Sequence, residues 1–140
     1  MEVDVFFCVT HYDERVLQDA LEDIDAPIRV VVRMREIARD DEYNTGFTYS
    51  NQEERKSVVV IGKATSPAEF MNTTMHEMRH LTDDIATANN LSLHGEDVGY
   101  LQGKISGRLS DTIGRFVCPC CNNHIFNKRT KVFTKHAYIS

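Results

Sequence analysis

Ser66-Pro67-Ala68-Glu69 constrains the fold of this chain more than any other stretch. A serine cap, proline at the first helical position and glutamate three residues after the cap together mark a helix start. The residues that follow keep helical spacing, with Met71, Thr74, Met75, Met78, Leu81 and Ile85 on one apolar side. Asn89-Asn90 is a polar pair suited to a C-terminal cap. The spacing predicts one long helix over residues 66–90. The rest of the chain must cover its apolar side.

The opposite side of that helix carries His76-Glu77-Met78-Arg79-His80, an HExxH sequence. Histidines at i and i+4 lie one above the other on a helix, so both imidazoles can reach a single Zn²⁺. The glutamate between them points beside the pair and can act as general base toward water. Thr73, Glu77, Asp83 and Asp84 share the same broad polar half. Asp83 and Asp84 follow His80 closely, and either can accept the second ring N–H of a ligand histidine. The bland reading of the same pattern is a solvated helix that holds no metal.

A zinc centre needs a third ligand. The candidates after His80 are Asp83, Asp84, His94, Glu96 and Asp97. The two aspartates share the histidines' helix and cannot easily approach from a third direction. The short-spaced HExxHxxGxxH and HExxHxxGxxD patterns fail, because Asp83 replaces the glycine and Ala86 the ligand. This leaves the segment reached after residues 88–95, where a second helix is expected over 95–111. Gly95, Gly99, Gly103 and Gly107 recur there every four residues. Each interior glycine costs roughly 0.5–1 kcal/mol relative to alanine. The stripe therefore predicts close packing of this helix on the HExxH helix, which would bring Glu96 to the histidines, with Tyr100 one turn later. His94 stays a rival to Glu96.

An HExxH followed by a glutamate on the next helix resembles the gluzincin type of zinc metallopeptidase. The run HEMRHLTDDIATANNLSLHGEDVGYLQG is also similar to small HExxH proteins encoded by phages and prophages. The resemblance covers about residues 66–107, and only the HExxH in it is specific. It implies His76, His80 and Glu96 as Zn²⁺ ligands, Glu77 as catalytic base, a minimal zincin-like fold and a peptide or protein substrate. Tyr100 stands where those enzymes often carry an acidic residue. It is read either as a donor to an oxyanion or as a packed core tyrosine. The linker from His80 to Glu96 is shorter than in the larger gluzincins. The alternative reading is a non-catalytic phage-type accessory or interaction protein with a structural or vestigial zinc site.

Elsewhere, residues 3–10 and 57–62 read as strands, and 12–25 as an amphipathic helix with Val16, Leu17, Ala20, Leu21 and Ile24 on one face. Residues 28–34 (IRVVVRM) read as a strand, and 38–56 as a polar loop with a short strand at 46–50. The expected class is α+β, a small mixed sheet with helices on one face. The strand at 57–62 is expected to offer an edge to an extended peptide. Residues 1–113 would form the domain and 114–140 a basic, cysteine-containing tail.

That tail carries Arg115, Lys128, Arg129, Lys131 and Lys135 and no acid, in a chain whose net charge is -5. It either folds back on the acidic body or contacts nucleic acid. Cys118, Cys121 and His124, with His136 as a fourth member, have the spacing of a zinc knuckle; the other reading is free thiols in a tail. Crowding of Cys118, Cys120 and Cys121 is unlike a secreted disulfide framework and points to a reducing compartment. The expected location is the cytoplasm of a bacterium or phage-infected host. No apolar run approaches the ~20 residues of a membrane helix, and MEVDVFFCVT lacks the basic start of a signal peptide.

Overall fold

The computed structural model describes residues 1–39, 42–117 and 136–139. The element order is β1 (Glu2–Phe6), a 3₁₀ turn (His11–Asp13), α1 (Glu14–Glu22), α2 (Ile28–Arg39), β2 (Gly46–Asn51), β3 (Lys56–Ile61), α3 (Pro67–Ala88), α4 (Glu96–Val117) and β4 (His136–Ile139). The four strands form one sheet in the order β2-β3-β1-β4. β1 and β3 are parallel, and each outer strand is antiparallel to its neighbour. This is the expected α+β class with a small mixed sheet.

The helices cover both faces of the sheet rather than one. Val3, Val5, Val59 and Ile61 pack with Phe70, Met78 and Leu81 of α3 and Ile105, Leu109 and Phe116 of α4. Phe6, Val58 and Val60 point the other way, onto Leu17 and Leu21 of α1 and Val30, Val31, Met34 and Ile37 of α2. Burial on both faces explains why β3 reads as an unbroken apolar run. It also makes β3 an interior strand. Among the described residues the edge on its side of the sheet belongs to β2.

The segment 28–34, expected as a strand, is the start of α2. Its β-branched run suits a strand locally. The buried set Val30, Val31, Met34, Ile37 and Ala38 nonetheless follows a helical repeat that continues past residue 34. Covering the second sheet face outweighs the local preference. The mixed burial of β2 has a similar logic: Phe47 and Tyr49 join the α1/α2 side, while Gly46, Thr48 and Ser50 face α3.

Both ends of α3 are where the sequence places them. Ser66 Oγ accepts the Glu69 backbone N–H at 3.1 Å, with Pro67 in the first turn. At the other end Asn90 turns left-handed at φ 58. Leu91 N–H then bonds Ala86 O at 2.8 Å and Asn90 N–H bonds Thr87 O at 3.2 Å, the paired bonds of a Schellman cap.

α4 begins at Glu96 and runs to Val117, beyond the expected end at 111 and the expected domain boundary at 113. Residues 136–139 of the expected tail pair with β1 as β4. His136, considered above for a zinc knuckle, sets its Nε2 2.6 Å from Asp4 Oδ1 and stacks on Phe6 at 4.5 Å. Cys118, Cys120, Cys121, His124 and the lysines and arginine at 128–135 lie outside the described residues. No described helix is long and apolar enough to cross a membrane.

Candidate metal centre

His76 and His80 are exposed on α3, as the helix geometry predicts. Their Nε2 atoms converge to 3.1 Å. The Nε2 atoms of two histidines bound to one tetrahedral zinc, with Zn–N bonds of about 2.05 Å, stand about 3.3 Å apart. The rings are therefore posed with the bite of a bidentate metal site. In the absence of a cation between them, one ring must donate and the other accept.

Glu77 departs from the expected solvated polar half. It is only 4% exposed. Thr73 of the same helix is buried with it. The cause is β2, which lies across this side of α3. Thr48 Oγ1 donates to Glu77 Oε2 at 2.9 Å. A Cβ on Gly46 would stand 3.2 Å from Glu77 Cγ and 2.5 Å from the Val60 carbonyl oxygen, so only glycine lets the strand come this close. Asn44, Thr45, Gly46, Asn72, Thr73, His76 and Glu77 line a polar cleft of ≈ 240 Å³. The base candidate and one histidine thus share a cleft bounded by the edge strand.

Among the described residues Glu77 has no cationic partner. A buried carboxylate without one is costly. A cation held by the adjacent histidines would offset that cost; the two imidazoles are two of the three or four protein donors that a Zn²⁺ site uses.

The aspartates are engaged elsewhere. Asp83 pairs with Arg79 at 2.9 Å. Asp84 accepts from Ser50 Oγ at 2.6 Å, and its backbone oxygen accepts from Gln52 Nε2 at 3.2 Å. They tie α3 to itself and to β2, and neither carboxylate contacts a histidine ring.

Glu96 is not brought to the histidines. Phe70 stacks on Phe116 at 4.7 Å, and Ile85 and Leu101 line one groove, so α3 and α4 run antiparallel. The first turn of α4 is therefore level with the last turn of α3. That is two to three turns beyond His80, roughly 12–15 Å along the axis. α3 continues too far past the HExxH for the next helix to return to it. His94 and Glu96 are both exposed, and Tyr100, expected in the core or at an oxyanion, is 68% exposed. Among the described residues no group of three His, Cys, Asp or Glu side chains could hold a metal ion.

The glycine argument fails for a related reason. Among the described residues, a Cβ at Gly99, Gly103 or Gly107 would meet nothing within 4 Å. α4 packs inward through Val98, Ile105, Leu109, Ile113 and Phe116, leaving the glycines on its outer side. The residues that the sequence reading missed are Gly46 and Thr48. The alternation in GFTYSN, apolar at 47 and 49 and small or polar at 46, 48 and 50, is the signal that marks their face.

No protein-family model, curated protein or solved structure matches this chain.

Proposed function

We propose that this chain is a zinc-dependent hydrolase of the HExxH type, acting on a peptide or protein. The observation that carries the reading is the convergence of His76 and His80 Nε2 at 3.1 Å beside the buried carboxylate of Glu77. Zn²⁺ bound there supplies a Lewis acid that polarises a carbonyl and acidifies water. His76 and His80, whose Nε2 atoms converge, would hold it. Glu77, fixed beside them, takes the proton of the attacking water and returns it to the leaving amine.

A peptide substrate is supported by the position of β2. Its outer side is a sheet edge that no described strand pairs with, and Thr45 and Gly46 at its start line the cleft with Glu77. An extended chain can pair with that edge and lay its carbonyl against the base. β2 takes the part that the sequence reading assigned to the strand at 57–62.

Glu77→Gln separates binding from chemistry. The variant is expected to keep its zinc and lose hydrolysis of a quenched-fluorescent peptide library by about 10²–10⁴-fold. Full activity in the variant would rule the reading out. From the helix register, Glu96→Ala retains zinc. Loss of metal in that variant would show that α4 moves to complete the site.

A further inference from the structure

We infer that Thr48, on the edge strand, is a positioning residue for Glu77. The hydroxyl carries one proton, and two acceptors of Glu77 lie within reach: Oε2 at 2.9 Å and the backbone oxygen at 3.2 Å. The nearer Oε2 takes it. Oε1 has no protein partner among the described residues, and the residue lines the cleft that His76 also lines. One oxygen is anchored by the strand and the other is left to face water and substrate.

Three features make the anchor firm. Thr48 pairs with Val59 in the β2–β3 ladder, so its backbone cannot drift. Threonine is branched at Cβ and holds its χ1 tightly. Gly46, two residues earlier on the same face, lets the strand approach Glu77 Cγ. A carboxylate free to rotate in a cleft would spend much of its time turned from the reacting water. Misplacement of a catalytic group by even an ångström is expensive in rate. Because β2 is also the strand that borders the cleft, a substrate pairing along it would press on the anchor of its own base.

The catalytic meaning of this contact rests on the hydrolase reading; the contact itself does not. Two measurements keep the two apart. In the zinc-loaded full chain, Thr48→Val is expected to lower kcat on the peptide library by about 10- to 100-fold, with KM and bound zinc unchanged. Thr48→Ser should recover most of the loss. An unchanged kcat in Thr48→Val, or no recovery with serine, would overturn the assignment. In the metal-free chain, Thr48→Val should lower Tm by about 3–6 °C, and by clearly less in a Glu77→Ala background, where only the backbone oxygen of residue 77 is left as acceptor. Equal drops in both backgrounds would show that the two side chains are uncoupled. The melts need no turnover, so a chain that hydrolyses nothing would sink the hydrolase reading while Thr48 is still tested.

Discussion

α3 and α4 are both 22 residues long and pack against each other, yet they use their sequences in opposite ways. α4 is one-sided: an apolar face turned inward and glycines left outside against open space. α3 is enclosed on two sides, by the apolar core and by the polar face of β2. Thr73 and Glu77 are buried on the β2 side, and Thr48 and Ser50 reach α3 with hydrogen bonds at 2.9 and 2.6 Å. A helix that stabilises a fold needs one apolar face. A helix that also sinks a carboxylate beside two exposed histidines needs a second strand to hold it, and that expense suggests a use. By the same comparison, glycine matters where a neighbour is close and hardly at all where none is.

The comparison breaks first at Gly46. A side chain there must displace the β3 backbone, and Gly46→Ala is expected to destabilise the chain by about 2–3 kcal/mol. Denaturant unfolding would measure it; a neutral result would mean that β2 does not sit tightly on Glu77. The converse change on α4 has a smaller effect of opposite sign. Gly103→Ala fills open space on a helix and should stabilise by about 0.5–1 kcal/mol. A loss of stability there would reveal a partner against the glycine face.

The smallest effect is on the other face of the sheet. Arg39 donates to both carboxylate oxygens of Glu14, at 2.6 and 2.7 Å, and this hydrogen bonding holds the Glu14 pKa below its ordinary value of 4.5. A depressed carboxylate pKa stabilises the fold above the unfolded-state value, and that contribution fades as pH falls through the folded one. Arg39 is largely exposed, so Glu14→Gln should reduce stability only slightly at pH 7, and by progressively less as the solution is acidified through the folded pKa. A difference that does not shrink on acidification would place the effect in packing instead.

The boundaries of α3 were legible because capping is local: Ser66, Pro67 and Glu69 act within one turn, as do Asn89 and Asn90. The exposure of His76 and His80 was legible because helical periodicity alone decides it. What escaped was set by contacts distant in sequence. IRVVVRM is locally a strand, and only the need to cover Val58 and Val60 makes it helical. Residues 136–139 gain their role from β1, at the other end of the chain. Glu77 looks solvated on a helical wheel, which cannot anticipate a strand laid over it by residues 46–50. The reading of Glu96 depended on where α4 starts relative to the length of α3, a tertiary quantity that spacing does not encode.

The central claim is that His76 and His80 hold a metal beside Glu77. The most direct measurement is the zinc content and affinity of the purified full chain, by chelator competition, in wild type, His76→Ala and His80→Ala. The account predicts tight zinc in wild type that depends on both histidines, either alanine variant losing at least tenfold in affinity. Wild-type protein that takes up no zinc, or variants that hold it as well as wild type does, would contradict it.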